Sequence, residues 1–314
     1  MNQIELSDTG EFETVSQRAS YRPEPFSSLV EIDVAGASHP GAVRPRNEDH
    51  FYIGRFGRFL ETLQTNLPAD AVPARSDETG CGMIVADGLG GSAAGAEASK
   101  LAIISLLNLV LHTPDWILRL DDSLMTEEVM LRASERFLHI HQRLREQALE
   151  VPGLSGFATT LTVAFTTGDD LFVAHVGDSR AYLFGNGTLQ QLTTDHTLVQ
   201  TMVNQNLISR HEAATHQLRH VLVQALGDTG HELRAEVLRA RLEDGNILLL
   251  CTDGLTEVVG DDDIRLVLGG DDDAKTMCQR LIDLAIGAGG PDNITVVVAR
   301  YRLPPSNKSK TETP

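Results

Sequence analysis

Met83-Ile84-Val85-Ala86-Asp87-Gly88-Leu89-Gly90-Gly91 is the stretch whose reading decides the fold. Four apolar residues in a row read as a buried strand, and they deliver one carboxylate into a glycine-rich turn. Glycine lets the backbone come close to a ligand and leaves the Gly88 carbonyl free to face it. Ser92 is a good N-cap, so a helix is expected from there to about His112. An Asp-Gly pair alone is a common turn signal. The weight of Asp87 therefore depends on whether other carboxylates sit in similar settings.

Four other clusters do. Asn47-Glu48-Asp49, Gly177-Asp178-Ser179, Thr252-Asp253-Gly254 and Pro291-Asp292-Asn293 each mark a strand end running into a turn. Carboxylates placed this way can meet at one edge of a sheet sandwich. Unpaired, they would repel and raise each other's pKa values, so such a cluster calls for cations. An all-oxygen donor set favours Mg²⁺ or Mn²⁺ over zinc. Two such ions sharing a bridging carboxylate can activate water and clamp a phosphoryl group. Arg44 lies shortly before Glu48, and its guanidinium suits bidentate contact with phosphate; Arg46 is the competing candidate. The triplets at 261–263 and 271–273 fall at expected helix starts, where N-capping explains them better than metal binding.

The chain has 314 residues, 41% of them hydrophobic and 22% charged, the balance of a globular protein. No apolar run approaches the ~18 residues needed to span a bilayer, and the polar N-terminus lacks the apolar core of a secretory signal. Cys81, Cys251 and Cys278 are widely spaced, which points to free thiols in a reducing compartment, taken to be the cytoplasm. A net charge of -18 argues against nucleic-acid and anionic-membrane partners, which need a basic footprint.

Along the chain, residues 1–27 lack periodicity and are expected to form a flexible extension, as is the tail from 304 to 314. Residues 29–34 and 51–53 read as strands, with 55–80 as a long connection that invites either an excursion or a small insert. A second helix is expected near Thr126, with an apolar stripe of Val129, Ala133, Phe137, Ile140, Leu144 and Ala148 that reads as core. Short strands over 159–165, 171–176, 181–184 and 189–192 read as an antiparallel meander. Residues 195–230 are helical and irregular. The segments 234–242 and 246–252 flank Asp244-Gly245 and read as a hairpin. Helices around 262–268 and 273–286 and a final strand over 293–300 complete the pattern.

The motifs Gly41-Ala42-Val43-Arg44-Pro45-Arg46-Asn47-Glu48-Asp49, Val85 to Gly91, Val176-Gly177-Asp178-Ser179-Arg180, Thr252-Asp253-Gly254-Leu255 and Pro291-Asp292-Asn293-Ile294-Thr295-Val296 resemble, in order, those of the metal-dependent protein phosphatases (type 2C, the PPM family). The resemblance covers roughly residues 30–302. It implies an α+β fold, a four-layer α-β-β-α sandwich of two antiparallel sheets flanked by helix pairs, over a domain of residues 28–303 with a flap at about 195–230. It also implies hydrolysis of phosphoserine and phosphothreonine in proteins by a water that a binuclear Mn²⁺ or Mg²⁺ centre activates. By motif, Asp87 resembles the bridging ligand and Gly88 supplies its carbonyl to the second metal. Asp253 and Asp292 resemble ligands of the first metal, with Glu48 and Asp49 at the second. Asp178, with Asp253, matches a third site found in bacterial relatives, and Arg44 matches the phosphate-binding arginine. Asn293 either orients Asp292 or shapes its turn.

The expected partners are phosphorylated proteins made by Ser/Thr kinases, met by a cytoplasmic monomer. The alternative, a catalytically impaired member acting as a regulatory module, would show replaced ligands, and Asp87, Asp253 and Asp292 are all present. Three departures stand out. Leu89 occupies the place of a histidine that many eukaryotic members use as general acid. Ala158 replaces a usual glycine before Thr159-Thr160. Arg219-His220 replaces a usual Arg-Asn in the flap. His50 and His196, near the motifs, are expected to be structural.

Overall fold

A computed structural model describes residues 26–68, 71–90, 94–112, 123–150, 156–228, 230 and 232–304. The expected extension and tail lie outside these residues, apart from their innermost positions, as does the expected N-cap Ser92.

Two five-stranded antiparallel sheets face each other. The first contains β1 (Glu31–His39), β12 (Ile294–Arg302), β11 (Ile247–Cys251), β8 (Arg180–Gly185) and β9 (Thr188–Gln191), in that order. The second runs β10 (Glu236–Arg241), β7 (Asp170–Val176), β6 (Leu161–Thr167), β3 (Arg75–Ala86) and β2 (His50–Glu61). The two-residue strands β4 (Gly88–Leu89) and β5 (Ala158–Thr159) pair beside them. Helices α1 (Ala94–Leu111) and α2 (Ser123–Glu150) cover the second sheet. The first is covered by α5 (Asp253–Thr256), α6 (Asp261–Leu268) and α7 (Ala274–Gly287), while α3 (Leu198–Asn204) and α4 (Arg210–Ala214) lie within the segment 195–230.

The strand pleat explains the apolar runs. Met83 and Val85 point between the sheets, against Leu248, Leu250, Val297 and Ala299. Their neighbours Ile84 and Ala86 point outward under Ala98, Ala102, Phe137, Ile140 and Leu144. In β11, Leu249 and Cys251 face Leu255, Ile264, Met277 and Leu281 instead. Because both faces are buried, alternation of polar and apolar residues is lost and continuous apolar runs remain. The α2 stripe from Ala133 to Ala148 packs in this core as expected.

Three expectations fail, for physical reasons. Residues 55–80 are not one long unpaired connection: β2 and β3 form one long hairpin, registered from His50↔Ala86 to Glu61↔Arg75, which leaves only the stretch between Glu61 and Arg75 as the connection. Edge strand β2 is exposed and interrupted by Gly54 and Gly57, so its apolar signal is weak. The meander is two hairpins in different sheets, since β6 pairs with β7 but β8 pairs with β9 and β11. Likewise β10 and β11 are not a hairpin. Leu242 donates to Asp169 O (2.8 Å) beside the second sheet, and Tyr301 donates to Asn246 O (2.9 Å) beside the first. Asp273 caps α7 through Thr276 N as expected, whereas 261–263 only place charge in the first turn of α6. Helix α1, 18 residues with mean hydropathy 1.5, is long and apolar enough by composition to cross a membrane, which the sequence reading did not find. Its Ala98, Ala102, Ile103 and Leu106 pack in the core described above.

Candidate metal centre

All the singled-out strand ends fall on one edge of the sandwich. The ladders pair His50 with Ala86, Leu161 with Val176, Cys251 with both Arg180 and Val296, and His39 with Ile294. The segments just beyond those pairs carry Glu48 and Asp49, Asp87, Asp178, Asp253 and Asp292. A cleft of about 560 Å³ at this edge is lined by Arg44, Glu48, Asp87, Gly88, Leu89, Asp178, His220, Leu222, Asp253, Glu257, Asp292 and Asn293, among others.

Threonines hold the carboxylate-bearing backbone. Asp87 N donates to Thr160 Oγ1 (2.9 Å), while Thr160 N (2.9 Å) and Thr159 Oγ1 (2.7 Å) donate to Asp87 O. Thr160 Oγ1 is also 2.8 Å from Ser179 Oγ, which links this turn to the one bearing Asp178. Thr252 Oγ1 donates to Asp49 Oδ2 (2.8 Å) and accepts from Thr295 N (3.0 Å). Glycine allows the remaining close approaches: a Cβ on Gly95 would lie 2.2 Å from Glu48 Oε2, and one on Gly254 would lie 1.9 Å from Asn293 O.

Asn293 does not act on Asp292 through its side chain. Its Oδ1 accepts from Glu48 N (2.8 Å) and its Nδ2 donates to Pro40 O and Arg46 O (2.9 Å each), so it ties down the loop that carries Arg44, Glu48 and Asp49. Its backbone N donates to Asp292 Oδ1 (2.8 Å). Arg44 Nη2 reaches Asp292 Oδ2 at 2.6 Å, and the side chain is 55% exposed to the cleft mouth. Arg46 also lines the cleft, and its carbonyl accepts from Asn293.

The electrostatics are those of crowded acids. Burial, then the charges of Asp49, Asp253, Asp178 and Asp292, pushes the Asp87 carboxyl well above its usual range. Burial, then Asp178 and Glu257, does the same to Asp253. Asp49 is pushed up to about 6 and Asp178 to about 7, burial again leading. Asp49 Oδ1 is buried with no hydrogen-bond partner among the described residues. An orphaned carboxylate oxygen within a self-repelling oxygen set is what a divalent hard cation would satisfy. The donor set fits Mn²⁺ or Mg²⁺.

A second group, His175, His196 and Glu236, also brings donor atoms within 4.8 Å. Most of its donor atoms are already engaged. His175 Nδ1 is 2.8 Å from Thr162 Oγ1 and its Nε2 is 3.0 Å from Gly177 O. His196 Nδ1 accepts from Gly177 N, and both Glu236 oxygens accept from Thr194. His50 is likewise structural, its Nδ1 2.9 Å from Ser99 Oγ, which donates to Glu48 O.

The family model for protein phosphatase 2C matches residues 63–281. The chain belongs to this family. It is 36% identical over 265 residues to the serine/threonine protein phosphatase PstP of Mycobacterium tuberculosis, a match covering 84% of this chain and 44% of PstP. The chain thus spans less than half the length of that relative. It is 30% identical to the protein phosphatase PhpP of Streptococcus pneumoniae, covering 85% of this chain and 96% of PhpP. The crystal structure of the PstP catalytic domain in complex with two manganese ions superposes with TM-score 0.67 at 32% identity, covering 87% of this chain and 99% of that one. The four-layer sandwich expected for this phosphatase family is the fold observed.

Sequence reasoning missed Glu257 and the threonine scaffold. Thr159-Thr160 was visible as a motif without a role. Glu257 had no signal, because its partner His220 lies between α4 and β10, far away in sequence.

Proposed function

We propose that the chain is a protein serine/threonine phosphatase working with two Mn²⁺ or Mg²⁺ ions at the sheet edge. The observation that carries this reading is the convergence of Glu48, Asp49, Asp87, Asp178, Asp253 and Asp292 on one edge, with a buried carboxylate oxygen left unpaired. Asp87 would bridge the ions, with Asp253 and Asp292 on one and Glu48, Asp49 and the Gly88 carbonyl on the other; Asp178 with Asp253 would take a third. When bound, such ions acidify water and neutralise charge on a phosphoryl group.

The chain's own residues supply the rest. Arg44 offers a planar fork at the cleft mouth for two phosphate oxygens. Asn293, Thr160 and Thr252 hold the carboxylates in register, so little is left to reorganise when a phosphate arrives. The names of the relatives, both protein phosphatases, support this substrate class. Substrates would then be proteins phosphorylated by Ser/Thr kinases. Three buried free thiols support a reducing compartment, the cytoplasm, and we read the protein as a monomer of one domain over 28–303 with a flap at 195–230.

The test is Asp253→Ala. Mn²⁺-dependent release of phosphate from a phosphothreonine peptide should be abolished, and near-normal turnover would overturn the assignment.

A further inference from the structure

Hydrolysis of a serine or threonine phosphate expels an alkoxide, a strong base, and a proton delivered to its oxygen as the bond breaks lowers that barrier. The cleft offers few donors for that proton. Leu89 is apolar, and an arginine guanidinium does not give up its proton. The carboxylates at the edge are committed to cations on the reading above. His220 is the one imidazole among the described residues lining the cleft.

Its setting is that of an oriented ring. His220 Nδ1 lies 2.6 Å from Glu257 Oε1, and Nε2 has no protein partner among the described residues. The donor atoms of His220, Asp253 and Glu257 lie within 4.8 Å of one another, so the ring stands beside the reacting edge. The backbone that carries it is fixed. Leu198 N donates to Val221 O and Val223 N to His196 O, 2.8 Å each, just past His220. A carboxylate on one ring nitrogen sets which nitrogen faces the substrate.

We propose, resting on the phosphatase reading, that His220 is the catalytic acid for the departing Ser/Thr oxygen and that Glu257 positions it. The bond from phosphorus to Oγ breaks and its electron pair stays on Oγ. The imidazolium Nε2 proton joins that pair to complete the alcohol. Water supplies the oxygen of the new bond to phosphorus. One of its protons remains on the product hydrogen phosphate, and the other is released and restores the imidazolium.

The test compares His220→Asn and His220→Gln with the parent protein in Mn²⁺. One substrate is a phosphothreonine peptide; the other is p-nitrophenyl phosphate, whose phenolate departs without a proton. The ratio of kcat on the peptide to kcat on the nitrophenyl ester should fall about 100-fold in either variant. Glu257→Gln should lower the same ratio by less. Calorimetric titration of the His220 variants with Mn²⁺ should keep the parent stoichiometry. An unchanged ratio, an equal fall on both substrates, or a lost Mn²⁺ site would each overturn the assignment. A parent protein that releases phosphate from neither substrate would overturn the phosphatase reading instead.

Discussion

Replacing Asn293 by alanine should loosen the carboxylate edge while leaving both sheets intact. The side chain is 5% exposed and makes three hydrogen bonds, all to the loop at 40–48. Alanine leaves Glu48 N–H without an acceptor in a half-buried place, which costs about 1–2 kcal/mol. The Pro40 and Arg46 carbonyls belong to exposed residues, where water can take the vacated places, so each adds only about 0.5 kcal/mol. The sum is about 2–3 kcal/mol, to be read from urea denaturation in the presence of a chelator. Since the same loop carries Arg44, Glu48 and Asp49, Mn²⁺ affinity by calorimetry should fall roughly tenfold or more, as when the supports of metal ligands are removed. Asn293→Asp should be worse, because a carboxylate oxygen would then face two carbonyls. A variant within about 0.5 kcal/mol of the parent, with unaltered Mn²⁺ affinity, would refute the idea that this side chain holds the site together.

Two further outcomes follow from the backbone and the core. His175 is fully buried, and burial pushes its pKa down to about 3, whereas the unfolded chain binds that proton near pH ~6.5. Its folded pKa is depressed, so this stability is complete above ~6.5 and drains as pH falls toward 3, at ~1.4 kcal/mol per unit, or about 2 kcal/mol by pH ~5. His175→Leu should therefore lose less stability on acidification than the parent; parallel denaturation curves at both pH values would refute this. Gly41 has φ +79, and a Cβ there would lie 2.1 Å from Asp292 O, whereas Gly187, at φ +75, has nothing within 4 Å. Gly187→Ala should cost about 1 kcal/mol in thermal unfolding, from strain alone. Gly41→Ala should cost clearly more and weaken Mn²⁺ binding; equal losses would show that the contact with the Asp292 turn is immaterial.

The carboxylate edge was legible in the sequence because each ligand candidate is announced locally. A run such as Leu248-Leu249-Leu250-Cys251 must end where an acid appears, since a charge cannot continue between two buried faces. The helices over sheet two were legible for a similar reason: Phe137, Ile140 and Leu144 repeat at helical spacing and do reach the core. What stayed hidden were contacts across long separations. Glu257 meets His220 from another element, and Asn293 reaches back to Pro40 and Arg46. No local pattern marks such a pair.

The misread turns show why this edge is a site at all. Gly177-Asp178-Ser179 looks like a hairpin turn, and glycine at φ +115 would suit one. A hairpin would keep β7 and β8 side by side in one sheet. Instead β7 ends against β6 in the second sheet and β8 begins against β11 in the first. A turn that steps between facing sheets must cross at the rim of the sandwich, where the inner core opens to solvent. Asp178 is therefore carried to the same rim as Asp87, which follows β3 in one sheet, and Asp253, which follows β11 in the other. The step that defeats a reading of turns as hairpins is the step that lets acids from both sheets crowd together.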